Sequence, residues 1–445
     1  MRSMDKVSGA PAPLSWPWVL AGGVLWIVLM SAPLKESDAY RYAGLLLIAG
    51  ALFSYFRETP RLRPTWLAWL CLAWALYAAA RYLWAYLTVP GHPVGASGWL
   101  YVFPLFFPPL GLALYLFRDH VEKIISAYFA LALVMLLATT DFGSVLAGET
   151  VSPLIHHNPI HGAVGCGFLV VGAFYWLLHC LGKRATHARM ASFALAVAPP
   201  VIALALFGIY GAKSKGVWLS MAVVLPLMAL SLLAYLKRAK AVLAASGLVA
   251  ALGLAISSVS DNLWAIAGPT IISAESLLRQ FIDTGGIGQN LTVAINSGTV
   301  PTAMNERLKL WSNAWEIVSA NPFFGAGSLW LEQWEHTTYA DVGYTLIHNG
   351  YLEILIRYGI FGLAVFAFIL LAFVRVVFQA WKAGFISRGA LACYYMMILF
   401  YMLTLLSNSN NRLALGETFV LLVAAVAFFC YECIERHRRT SGRAG

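Results

Sequence analysis

The chain has 445 residues, of which 60% are hydrophobic and only 11% charged. A soluble domain carries about 25% charged residues, so this composition excludes an ordinary water-soluble protein. The net charge of +10 does not point to nucleic acid, because its placement follows membrane topology.

In chain order, twelve apolar spans are predicted: 16–33, 39–56, 65–88, 99–117, 124–140, 160–181, 190–210, 217–236, 242–260, 346–378, 390–407 and 413–434. Each can cross a bilayer, which needs roughly 20 residues of helix. Ten-residue alternation, the mark of an outer-membrane barrel, is absent. The fold class expected is all-α: a polytopic helical membrane protein with one large loop domain. Three regions follow: residues 1–260 with nine helices, the loop domain 261–345, and residues 346–445 with three helices and a tail. The first span follows Arg2 and Lys6 but is long for a signal peptide and lacks a good cleavage site. It reads as a retained helix.

Alternate connections are basic. They hold Arg57, Arg61 and Arg63; Arg118 and Lys123; Lys183, Arg184 and Arg189; Lys237, Arg238 and Lys240; Arg375, Lys382 and Arg388. Both tails are basic too. The positive-inside rule places all of these in the cytoplasm, with both termini, and gives the surface some affinity for anionic membrane lipids. Segment 261–345 then lies outside. The six cysteines fall within or at the ends of spans, so no disulfide framework is implied. Cys430 and Cys433 read as packing residues.

Arg81 lies inside the third span among Tyr77, Tyr82 and Trp84. Charges there are costly and face a cavity or a partner, so Arg81 meets an anionic lipid group, makes a structural pair or snorkels outward. Before the sixth span, His156-His157-Asn158-Pro159-Ile160-His161 reads as a turn that starts a helix. Adjacent His156 and His157 are poorly spaced as metal ligands; His161 is a candidate for hydrogen bonding to sugar.

Few cations face outward, and Lys213-Ser214-Lys215-Gly216 concentrates two of them in a very short connection. A helix begins there, and helix N-termini bind anions. The alternative is a pair of solvated lysines. In the loop domain, Leu308, Trp311, Trp315 and Val318 recur at helical spacing and predict a helix over 305–320, with a shorter one over 276–283. Arg307 near its start opposes the helix dipole, which favours an anion-binding role. Gly285 to Gly288 reads as a loop. His348-Asn349 stands where the loop domain meets the tenth span. The pair either caps that helix or presents an imidazole that exchanges protons near neutral pH. Arg357 either binds an anion or pairs with Glu353 one turn back. There is no DxD or HExxH motif, and the acids are scattered. Neither a metal nor another cofactor is expected.

Residues 305–362 carry a resemblance. Arg307-Leu-Lys-Leu-Trp311, then Asn321-Pro322-Phe-Phe-Gly325-Ala-Gly327, then His348-Asn349 with Gly359 are similar to the catalytic-loop region of the O-antigen ligase family. That family's relatives are the O-antigen polymerases and bacterial O-linked oligosaccharyltransferases. Ser214-Lys215-Gly216 stands where the family usually has Ser-Arg-Gly; charge is kept but the bidentate fork is lost. The resemblance implies a GT-C-like glycosyltransferase at the periplasmic face of a bacterial inner membrane. Its donor would be a glycan on undecaprenyl diphosphate, and a ligase's acceptor a sugar hydroxyl of lipid A-core, without a metal. Lys215 and Arg307 would meet the diphosphate and His348 would act as base or orient the acceptor. Lys213, Ser214, Asn349, Arg81 and His161 are the supporting candidates. A polymerase, a protein O-oligosaccharyltransferase and, in another class, a lipid or polysaccharide transporter are the rival readings. Against the last, no paired broken helices of the transporter kind are visible.

Overall fold

A computed structural model describes residues 15–58, 61–89, 96–234, 260–284, 287–298 and 300–441, with isolated positions between 247 and 257. Regular structure among these residues is helical apart from one isolated bridge, Lys35 to Ile155.

The apolar helices are α1 (Trp16–Leu29), α2 (Ala39–Arg57), α3 (Trp66–Thr88), α4 (Phe107–Leu116) and α5 (Val121–Thr139). After the short α6 (Phe142–Leu146) come α7 (Pro159–Gly182), α8 (Ala188–Gly211) and α9 (Lys215–Ser231). Eight helices among the described residues are long and apolar enough to cross a membrane, and three shorter ones are comparably apolar. Eleven of the twelve expected spans therefore have a helix. The remaining one, 242–260, falls outside the described residues except at isolated positions. The protein is an all-α polytopic membrane protein. The span expected at 99–117 starts as a 3₁₀ segment, Ala96–Phe106, with Pro104 inside it. Proline lacks the N–H that an α-helical ladder needs there.

Between the apolar regions lie α10 (Ser260–Thr284), α11 (Ile287–Asn296), α12 (Thr302–Ala320) and α13 (Trp330–Trp334). The helix expected at 276–283 is thus part of a longer one that accommodates Pro269 internally. Gly285 and Gly286 lie outside the described residues, and Gly288 is helical rather than part of a loop. In α12 the buried stripe is Leu308, Leu310, Ala314, Ile317 and Val318, whereas Trp315 is 38% exposed. The chain ends with α14 (Gly350–Lys382), α15 (Arg388–Leu405) and α16 (Ala414–Ser441).

Two large cores hold the bundle. One surrounds α7 and joins α5, α8, α9 and α15. The other joins α1 to α4 with α14 and α16. Helix α7 packs closely because of glycine: a Cβ on Gly167 would lie 2.1 Å from Phe400 Cζ. Cys430 and Cys433 are buried free thiols in the second core. A smaller core packs α12 and α13 onto Ile347 and the first turns of α14.

Helix α14 breaks at Gly359, whose φ is 60°. Positive φ is a glycine conformation, and a Cβ there would sit 2.4 Å from the Phe323 carbonyl. The turn after α12 docks into the break: Ile360 N donates to Pro322 O (2.9 Å), Phe361 N to Phe323 O (3.0 Å) and Ala326 N to Ile356 O (2.7 Å). This contact explains why the Asn321–Gly327 turn and Gly359 occur together.

Candidate functional site

Lys213 and Ser214 fill the turn from α8 to α9. Lys213 has φ of 51°, unusual for a side chain with a Cβ, and its ammonium donates to the Gly148 carbonyl. Ser214 is buried at the N-cap position without a side-chain cap bond. Gly216 is required by packing, since a Cβ there would lie 2.0 Å from Ser407 Oγ.

Lys215 Nζ donates to Thr270 Oγ1 on α10 at 2.7 Å. Neither Lys215 nor the half-buried Arg307 has a carboxylate partner among the described residues. Burial holds the Arg307 guanidinium below its usual range, and Lys215 feels its charge.

His348 completes the cluster. Its φ is 54°, and Nδ1 lies 3.2 Å from Asn408 Oδ1. Burial is the main cause pushing its imidazole below the ordinary histidine range; the Asn408 bond partly offsets this and Arg307 adds to it. The ring is therefore neutral near pH 7. Tyr344 stacks edge-on to it at 6.1 Å and donates to Glu306 Oε2 at 3.0 Å. Asn349 is the N-cap of α14, its Oδ1 accepting from Tyr351 N (3.0 Å) and Leu352 N (3.2 Å). The capping reading therefore holds for Asn349.

His161 on α7 acts electrostatically on His348 and lies 3.3 Å from Glu36 Oε1. His156 is buried with Nε2 3.0 Å from the Pro33 carbonyl. Asn158 starts α7, its Oδ1 accepting from Ile160 N at 2.8 Å.

Arg81 is placed elsewhere. Its guanidinium donates to the carbonyls of Phe324, Gly325 (2.9 Å) and Arg357 (3.1 Å). It clamps the turn into the break of α14, a structural role. Arg357 is likewise paired with Glu353 inside the protein. A hollow of about 210 Å³ beside Lys213 is lined by Glu149, Tyr210 and Asn262. It shares Val145 and Glu149 with a second of about 320 Å³ between α5 and α8.

Sequence reasoning missed one element. The connection Leu406-Ser-Asn-Ser-Asn-Asn-Arg412 between the last two long helices grips the start of α14. Besides the His348 contact, Ser409 Oγ accepts from Asn349 N (3.2 Å), Asn411 Nδ2 donates to Gly350 O (3.2 Å) and Arg412 Nη1 to Glu353 Oε1 (3.1 Å). Six consecutive polar residues between two apolar spans were the available signal.

In this all-α membrane bundle, Arg307 acts electrostatically on both Lys215 and His348. Residues 200–367 match the family model described as O-antigen ligase. Over that segment, less than half of the chain, the match supports the O-antigen ligase family, which is glycosyltransferase-like. No curated protein matches the chain. The matched stretch holds Lys213, Lys215, Arg307, His348 and Gly359, and ends before Ser407.

Proposed function

We propose that this protein is an O-antigen ligase, transferring a glycan from undecaprenyl diphosphate to a sugar hydroxyl of lipid A-core. The reaction belongs at the periplasmic face of a bacterial inner membrane, with both termini in the cytoplasm. The observation that carries this reading is the grouping of Lys215, Arg307 and His348.

The diphosphate gathers negative charge as the anomeric C–O bond breaks. Lys215 and Arg307 oppose that charge, and fixed cations aimed at developing charge act selectively on the transition state. Lys215 exchanges its bond to Thr270 for a phosphate oxygen. The acceptor hydroxyl is a weak nucleophile until it loses its proton, which His348 takes. A neutral imidazole suits that task near pH 7. The hydroxyl oxygen attacks the anomeric carbon directly, so configuration inverts; retention would need a carboxylate nucleophile. Charge compensation by Lys and Arg lets the reaction run without a metal. Lys213, Ser214, Asn349 and His161 support the site, and Arg81 supports it through the Phe323–Gly327 turn.

A second lipid-linked glycan could be the acceptor in the same geometry, which would make the protein a polymerase. Reconstitution in proteoliposomes separates the two. Purified protein, lipid-linked donor and lipid A-core should give glycosylated lipid A-core. Longer lipid-linked glycan as the product instead would overturn the ligase reading.

A further inference from the structure

We propose that Asn408, backed by Asn410 and Thr404, is a positioning residue that holds neutral His348 with its proton on Nδ1 and leaves Nε2 free to take the acceptor's proton. The inference rests on the reading of His348 as the base, and it concerns a part of the chain outside the family match.

The argument follows a chain of hydrogen bonds from the protein interior. At its inner end the Thr404 hydroxyl donates to the Tyr401 carbonyl at 2.8 Å. A carbonyl only accepts, so the Thr404 proton is committed and its lone pair faces the other way. Asn410 Nδ2 donates to that oxygen at 2.9 Å. The Asn410 amide is thereby oriented, and its Oδ1 accepts from Asn408 Nδ2 at 2.6 Å. Asn408 must then present Oδ1 to His348 Nδ1, at 3.2 Å. An amide oxygen has no proton to give, so Nδ1 carries one. In a neutral ring Nε2 is then the basic nitrogen.

The chain is well protected: Asn408, Asn410 and Thr404 are 3%, 0% and 1% exposed. Water does not compete for these bonds, and reversing the chain would break it at the Tyr401 carbonyl. The backbone is fixed at the same place. His348 is held in the left-handed region, and the next residue's N–H is anchored on Ser409 Oγ. Backbone strain of this kind persists where neighbours over-determine it. One connection thus sets both the ring's direction and its tautomer, as the partners of catalytic and metal-bound histidines do elsewhere. The other charged or titratable groups acting on the ring are Arg307 from α12, Glu353 from α14 and His161 from α7, with Tyr344 edge-on.

The test uses the full-length protein in lipid bilayers with ¹⁵N-labelled histidine, read by solid-state NMR at pH 8. The His348 signals are assigned by their loss in His348→Gln. The expected result is an Nδ1–H ring with Nε2 unprotonated. Asn408→Leu should return the ring to the Nε2–H form that free histidine favours in water. It should lower kcat about 10–100-fold, the usual effect of losing such a partner, at unchanged donor KM. Asn408→Asp keeps an acceptor of similar size, so it should keep the tautomer and move the acid limb of the rate profile to higher pH. An Nε2–H ring in the unaltered protein overturns the proposal. So does an unchanged tautomer in Asn408→Leu or, if that variant does not fold, an unmoved acid limb in Asn408→Asp. Because the NMR reading needs no turnover, it stands apart from the base reading, which fails if His348→Gln transfers at full rate.

Discussion

Glu353 and Arg412 meet across 59 residues of sequence at 3.1 Å, joining the first turn of α14 to the connection before α16. Glu353 is fully buried and also pairs with Arg357, so one carboxylate answers two guanidinium groups, and it acts electrostatically on His348. Removing one member of such a buried set leaves an uncompensated charge, which typically costs about 3–5 kcal/mol. Glu353→Ala should therefore lower thermal stability in detergent markedly and reduce folded yield. A melting temperature equal to that of the unaltered protein would show that the set does not brace the site.

Lys215→Ala and Arg307→Ala should each slow transfer while leaving the amount of folded protein unchanged. Loss of one donor to a charged transition state costs on the order of 100–1000-fold in rate. Lys215→Arg should remain active, because the charge is kept and the guanidinium fork suits phosphate. Normal turnover by Lys215→Ala in the reconstituted assay would reduce Lys215 to a tether for α10 through Thr270.

The rate should fall on acidification through a pKa below the ordinary histidine value of about 6.5, because burial and Arg307 both push His348 down. The sign is fixed: a protonated ring cannot accept the acceptor's proton. The same shift affects stability. The folded protein holds the ring neutral, so protonation favours unfolding. Its contribution is present above the unfolded pKa of about 6.5 and declines as pH falls towards the folded value. His348→Gln should lose about 100–10,000-fold in rate and its acidic limb. If a limb persists in the residual activity, another group is titrating.

Transfer should persist in excess EDTA. Among the described residues no group of three or more His, Cys, Asp or Glu side chains is arranged to hold a metal ion, and in the proposed reaction Lys215 and Arg307 supply the positive charge. Activity lost to the chelator and restored by magnesium or manganese would require a different account of the leaving group.

The exposed Asp341 lies in the segment between α13 and α14. An Asp341→Cys variant should react with an impermeant maleimide from the periplasmic side of intact spheroplasts. Labelling only after the cytoplasm is opened would invert the topology and move the site to the wrong side for a periplasmic acceptor.

The bundle was readable from the chain because hydrophobic run length is a local property, and a run of about 20 apolar residues has few alternatives to a spanning helix. Helix α12 and the Asn158 start of α7 were legible for the same reason: periodicity and capping act within a few residues. Lys215 and His348 stood out as a cation and an imidazole where apolar helices begin, and Arg307 as a cation near the start of a loop-domain helix. Tertiary structure decided the rest. Whether Arg81 meets a lipid or a carbonyl depended on the Phe323–Gly327 turn, which lies some 240 residues away. The polar connection 407–412 meets His348 only because folding brings Asn408 to it, 60 residues apart in sequence. A hydrogen bond is directional and short, so its partner is set by where two helix ends arrive in space, and spacing along the chain carries no record of that.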